Sequence, residues 1–170
     1  MTLTVIALGS NLDNPPEQLK EASRRLSRLT GLTDLTLSRV YTSPPMGPQD
    51  QPAFYNAIAT CNYADEPSCL LTELQGIEHA MGRVKLRLWG ERRIDLDIIQ
   101  MGEQSIKETD LVIPHPGISG RLFVVKPMID LLGRDHKVPG LADLGTLRDE
   151  LMHHPISLCE DIDINGAILA

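Results

Sequence analysis

The run Ile94-Asp95-Leu96-Asp97-Ile98 constrains this chain more than any other stretch. At period two, Ile94, Leu96 and Ile98 fall on one face and Asp95 and Asp97 on the other. The segment therefore predicts a strand with an apolar side for a core and an acidic side that needs another use. Alternate residues of a strand lie roughly 6.5–7 Å apart, so two carboxylates can converge on one hard cation or bridge a close pair. Just upstream, Arg83, Lys85, Arg87, Arg92 and Arg93 stand against Glu91 alone, a formal +4 (5 minus 1) within a chain of net charge −7. Cations beside a cation-binding acid pair point to a polyphosphate held with magnesium.

The remaining composition narrows the class. With 170 residues and 42% hydrophobic content, the chain suffices for one domain with its own core. Apolar runs such as Val5 to Leu8 are far too short to span a bilayer, and Met1-Thr2-Leu3-Thr4 does not open a leader, so a cytoplasmic location is expected. Cys61, Cys69 and Cys159 match no zinc or redox spacing and are expected as reduced thiols. The negative balance argues against nucleic acid as a partner and gives the basic loop a local purpose.

Punctuation along the chain places the elements. Leu3 to Leu8 predicts a strand, turned by Gly9-Ser10-Asn11-Leu12; neither a P-loop ending nor a Gly-x-Gly-x-x-Gly follows any strand. Asn14, Pro15 and Glu17 predict a capped helix with Leu19, Ala22, Leu26 and Leu29 inward, stopped at Thr30-Gly31. Leu35 to Thr42 and Tyr55 to Tyr63 predict strands, separated by Ser43 to Pro52, whose four prolines stiffen an ordered loop. Glu66-Pro67 opens a helix with Leu70, Leu74, Ile77 and Met81 inward and Gly82 as its stop; Gln75 and Glu78 are expected together away from that face. Met101-Gly102-Glu103 predicts a reversal into Ser105-Ile106, and Pro114-His115-Pro116 a histidine fixed for contact. Ile129 to Leu132 reads as a short helix, Thr146 as the cap of another reaching Met152, and the chain beyond about Asp135 as an acidic segment without a motif. Trp89 beside Gly90 is expected in a loop that closes over bound phosphates.

Several separated motifs occur in one order between about Leu8 and Val125. They are Gly9-Ser10-Asn11-Leu12, Tyr41 to Pro45 with Gly47 to Gln51 and Phe54 to Asn56, Glu78 with Gly82-Arg83, Trp89-Gly90 to Asp97, Pro114-His115-Pro116, and Arg121 with Phe123. Together they resemble the 6-hydroxymethyl-7,8-dihydropterin pyrophosphokinases, folate-pathway enzymes that move the diphosphate of ATP onto a pterin alcohol. The resemblance implies an α+β, ferredoxin-like sandwich with a mainly antiparallel sheet and helices on its faces, one domain over residues 1–170. It implies that Asp95 and Asp97 hold two magnesium ions between the ATP phosphates and the acceptor hydroxyl, with Arg83 and Arg92 as catalytic phosphate contacts. His115, Arg121, Ile98 and Trp89 would also meet the nucleotide, and Gln75 and Glu78 its adenosine end. The pterin would lie between Phe54 and Phe123, with Asn56 reading its amide-like edge by both donating and accepting. Ser43, Pro44 and Met46 would form its wall, with Trp89 and Asp95 in reach.

The chain departs from the family form in a shorter Arg83-to-Trp89 spacing, in Glu91 at a frequent proline, and in Asp110 and Val112 at nucleotide-touching positions. A water-driven phosphohydrolase would use the same acids and cations, but it leaves the proline-rich loop and Phe54, Asn56 and Phe123 without a role. The expected partners are ATP and the pterin, with neither nucleic acid nor membrane. A monomer is the working expectation.

Overall fold

In the computed structural model, which describes residues 2–82 and 88–169, the first strand of the chain lies in the middle of the sheet. β1 (Thr2–Ser10) alternates Ile6 and Leu8 on one face with Val5 and Ala7 on the other, so both of its faces can be covered. α1 (Pro15–Ser27) leads to β2 (Leu32–Leu37), β3 (Val40–Ser43) and β4 (Phe54–Tyr63), and α2 (Pro67–Ala80) leads to β5 (Asp95–Met101). Every pairing is antiparallel, and the order is β5-β1-β4-β3, with β2 also on β4. The β1-α1-β2-β4-α2-β5 path with this order is the split βαβ arrangement expected of a ferredoxin-like sandwich. β6 (Ile106–Lys107) and β7 (Val112–Ile113) make a separate ribbon. A short 3-10 helix, Ile118–Gly120, then leads to α3 (Leu122–Leu132), α4 (Leu144–Glu150), β8 (Ser157–Cys159) and α5 (Asn165–Leu169).

The two faces bury two cores. Ile6, Leu8, Leu96 and Ile98 pack with Leu19, Ala22 and Leu26 of α1 and Leu70, Leu74 and Ile77 of α2. Val5, Ile58 and Ile99 pack with Val124, Val125 and Met128 of α3 and with Leu144 and Leu147 of α4. Leu19, Leu26, Leu70 and Leu74 are fully buried, and each contributes about 1.5–3 kcal/mol relative to exposure. Among the described residues no helix is long and apolar enough to cross a membrane.

Several local expectations are corrected. Asn14 does not cap α1 with its side chain; it takes a left-handed φ of 64°, and its carbonyl accepts from the Glu17 and Gln18 amides. The strand expected over Leu35 to Thr42 is two strands on the same edge of β4, broken at Ser38, whose hydroxyl oxygen accepts the Ile58 amide at 2.8 Å in place of a backbone carbonyl. α3 begins seven residues before Ile129 and runs through Pro127, so Pro127 interrupts the hydrogen bonding of a continuous helix without ending it. α4 is capped by Asp143, which accepts from the Thr146 amide at 2.8 Å. The acidic C-terminal segment is structured: β8 pairs with β3, and Asn165 accepts the Leu37 amide at 2.9 Å and donates to the Leu37 carbonyl at 2.6 Å.

Asn165 thus ties the end of the chain to the Ser38 break with two bonds to one residue. Asn165→Ala should lower the unfolding free energy by about 1–3 kcal/mol, read as a shift in the denaturant midpoint without a change in slope.

Candidate active site

Strand register sets the floor of the site. β5 pairs with β1 so that Asp97 lies opposite Ala7 and Asp95 opposite Gly9, and β1 pairs with β4 so that Gly9 lies opposite Asn56. Opposite residues of antiparallel strands share a face, so Asp95, Gly9 and Asn56 form one row on the α3 side of the sheet, with Asp97 and Ala7 in the neighbouring row. The two residues facing the acids are the smallest available, which leaves room above them. A cavity of about 510 Å³ opens there, within the range of small-molecule sites.

Besides β1, side chains from six parts of the chain line it. Ser43, Pro44 and Met46 come from the end of β3 and the proline-rich loop, Phe54 and Asn56 from β4, and Leu71, Gln75 and Glu78 from α2. Leu88, Trp89 and Arg92 come from the loop before β5, Asp95 and Asp97 from β5, and Asp110, His115, Arg121 and Phe123 from the stretch that ends in α3. Of the residues expected at the site, Ile98 is not brought to the cavity: it is 5% exposed and packs in the α1/α2 core. Arg83, together with Lys85 and Arg87, lies outside the described residues.

Glu78 departs from its expected solvent-side position. It is 6% exposed, and its carboxylate accepts the backbone amide of Leu96 at 2.8 Å. β5 is an edge strand whose outward amides need partners, and α2 supplies one between the two aspartates. The basic loop divides in two. Arg92 donates from Nη1 to Asp95 Oδ2 at 3.1 Å, whereas Arg93 turns away to bind Asp13 and the Met81 carbonyl, fastening the end of α2 to the start of α1.

Burial pushes the Asp97 carboxyl up to about 7, and the like charges of Asp95 and Glu78 add to it; Arg121 and Arg92 oppose the shift without cancelling it. Three carboxylates against these arginines leave negative charge that a hard cation would relieve. Among the described residues no group of three or more His, Cys, Asp or Glu is set to hold a metal unaided. Magnesium, however, is commonly bound by one or two carboxylates, with phosphate oxygens and water completing its shell, so the Asp95/Asp97 pair fits it.

Hydrogen bonding fixes two further groups. His115 Nδ1 accepts the Gly117 amide at 2.9 Å, so the neutral ring carries its proton on Nε2, which is left to donate. Burial holds this imidazole below its ordinary pKa, with Arg121 adding to the effect and Asp95 opposing it. Asn56 Nδ2 donates to the Tyr41 carbonyl at 3.1 Å and the Ser43 hydroxyl at 2.9 Å. A carbonyl can only accept, so the amide nitrogen must lie on that side and Asn56 offers the cavity an acceptor, not the donor-acceptor pair expected. Arg121 stacks over the Phe123 ring at 5.9 Å, so α3 begins with a cation and an aromatic face held together. Trp89 is 45% exposed with a left-handed φ of 58°, hence no part of a core. Sequence reasoning gave no role to Asn11 and Gln51, two buried amides below Trp89; both lie in the quoted motifs, but nothing in their spacing shows that they meet.

Comparison with known proteins agrees over most of the chain. The sequence pattern of the 7,8-dihydro-6-hydroxymethylpterin-pyrophosphokinase (HPPK) family matches residues 5–133. A 2-amino-4-hydroxy-6-hydroxymethyldihydropteridine pyrophosphokinase of Haemophilus influenzae is 46% identical over 131 residues, 77% of this chain and 82% of that protein. The folic acid synthesis protein fol1 of Pneumocystis carinii is 41% identical over 152 residues; these are 89% of this chain but only 20% of that longer protein. The crystal structure of wild-type Plasmodium falciparum HPPK-DHPS with pteroate superposes with a TM-score of 0.69 at 14% identity, over 88% of this chain and 42% of that one, which shows a shared fold.

The raised carboxyl of Asp97 gives the ligand-free protein a pH signature. Its folded pKa of about 7 exceeds the ordinary 3.8, so the stability from holding the proton is fully present below about 3.8 and is lost as pH rises through about 7. Asp97→Asn should therefore melt higher than wild type at pH 8, with a smaller gap at pH 5. A gap of equal size at both pH values would contradict the crowding described.

Proposed function

The chain belongs to the 7,8-dihydro-6-hydroxymethylpterin-pyrophosphokinase family, whose members transfer the diphosphate of ATP to hydroxymethyldihydropterin in folate synthesis, and on that premise we propose how its own residues divide the work. The observation that carries the reading is one cavity containing both an acid pair with arginines and an aromatic-and-amide set.

Phe54 and Phe123 take the two faces of the pterin, and Asn56 Oδ1 accepts from its edge, held in that orientation by Tyr41 and Ser43. Pro44 and Met46 wall that part of the cavity. Gln75 and Glu78 receive the adenosine part of ATP, and Arg92, Arg121 and His115 Nε2 bind phosphate oxygens; Arg83 is assigned to the same task on sequence alone. Asp95 and Asp97 hold magnesium, expected as two ions. Bound there, it would neutralise phosphate charge and lower the pKa of the acceptor hydroxyl. The arginines stabilise the charge that moves to the leaving AMP, while the stacked pterin keeps its hydroxymethyl oxygen near the β-phosphorus, so positioning and electrostatics supply the rate. The rim residues Leu88 and Trp89 limit the access of water. Residues 1–170 act as one pyrophosphokinase domain, monomeric and cytoplasmic, with no nucleic acid or membrane partner.

Incubation with ATP, magnesium and 6-hydroxymethyl-7,8-dihydropterin should give AMP and the pterin diphosphate; ADP and phosphate would contradict the reading. Asp95→Ala and Asp97→Ala should fold yet lose at least three orders of magnitude in turnover, about 4 kcal/mol of transition-state stabilisation. More than a tenth of wild-type activity in either variant would remove the metal assignment. Asn56→Ala should weaken pterin binding by about 1–3 kcal/mol and leave ATP binding unchanged, as titration of each ligand alone would show.

A further inference from the structure

Three loops meet beneath Trp89 on Asn11 and Gln51, side chains that the assignments above leave without a role. They are 2% and 7% exposed, and an amide buried to that degree is costly unless its hydrogen bonds are made. Asn11 Nδ2 donates to Gln51 Oε1 at 3.0 Å and to the Pro52 carbonyl at 2.9 Å. Asn11 Oδ1 accepts the Arg92 amide at 2.8 Å, and the Asn11 backbone amide donates to the Arg92 carbonyl at 3.0 Å. Gln51 Nε2 donates in turn to the Pro48 carbonyl at 2.9 Å and the Trp89 carbonyl at 2.7 Å. All the amide hydrogens of both side chains are thereby used, on acceptors in the proline-rich loop and the segment before β5.

Packing at Gly47 joins the same two loops. A Cβ there would fall 2.3 Å from Trp89 Cβ and 2.7 Å from the Trp89 carbonyl oxygen, so the proline-rich loop passes against Trp89 with no room for a side chain.

We propose that Asn11 and Gln51 are positioning residues for diphosphate transfer, fastening the 88–92 segment to the proline-rich loop so that the nucleotide-side and pterin-side walls of the cavity form one body. The inference rests on the site assignment given above. Arg92 reaches Asp95 with its guanidinium while Asn11 holds both its amide and its carbonyl, so the backbone from which that guanidinium extends is fixed. Trp89 is held at its carbonyl while its ring stays at the rim, and Pro44 and Met46 belong to the loop that Gln51 and Pro52 anchor. Loosening the junction therefore disturbs both substrates, although neither Asn11 nor Gln51 lines the cavity.

Isosteric variants separate hydrogen bonding from volume. Gln51→Glu can still accept from Asn11 but sets a carboxylate against two carbonyls; the side chain of Asn11→Asp still accepts from Arg92 but donates to nothing; Gln51→Met keeps bulk alone. In ligand-free protein well below its melting temperature, Trp89, the single tryptophan, should show lower fluorescence anisotropy in all three variants than in wild type. The dissociation constants for a non-hydrolysable ATP analogue with magnesium and for hydroxymethyldihydropterin should rise together, each roughly tenfold, about 1.4 kcal/mol. Unchanged anisotropy, or a loss confined to one ligand, overturns the inference. If Gln51→Glu fails to fold, Asn11→Asp and Gln51→Met carry the same two readouts. Because anisotropy is read without substrates, its failure is distinct from failure of the site assignment, which would show as the wrong ligand being lost in Asn56→Ala.

Discussion

Two carboxylates on the same face of an edge strand repel each other, and the candidate site is built around that repulsion. Asp95 and Asp97 are held on β5 by pairing with β1 on one side and by the Glu78 carboxylate on the Leu96 amide on the other. Glu78 secures the strand and yet adds a further negative charge beside Asp97. Arg92 and Arg121 relieve part of the resulting field. The cavity floor is thus under electrostatic tension, which suits the cations and phosphates we assign to it.

The same register that places the acids also opens the cavity. Gly9 and Ala7 face them from β1, and because β1 is central, the next strand across carries Asn56 in the same row. The acid pair and the Asn56 amide, to which we assign the metal and the heterocycle respectively, are therefore one strand apart on one sheet. Asn56 is itself supported from beneath by β3, which is paired in turn with β8.

Features written in local periodicity were legible in the sequence. The Asp95/Asp97 face, the inward faces of α1 and α2 and the stop at Gly82 all follow from spacing and backbone preference, and the structure has them. Several of the failures share a cause: a tertiary partner outweighed the local signal. The short helix expected over Ile129 to Leu132 begins instead at Leu122, where burial of Leu122, Val124, Val125 and Met128 carries α3 through Pro127. Helical spacing puts Glu78 on a polar side, but the unpaired edge amide of Leu96 draws it in. Ser38 gives no warning that its hydroxyl oxygen replaces a strand carbonyl. Asn11 and Gln51 stand forty residues apart, and a contact at that range leaves no periodic trace.

The last strand has a consequence for how copies of the protein meet. A sheet ending at β3 would offer the unpaired amides and carbonyls of Val40 to Ser43 to any other extended chain, the usual starting point for edge-to-edge association. β8 covers that edge, and being only three residues long it presents little edge of its own. On the far side, the amide of Leu96 is already occupied by a carboxylate, and a carboxylate is a poor neighbour for an incoming carbonyl. At these two positions an incoming strand finds its backbone partners already taken.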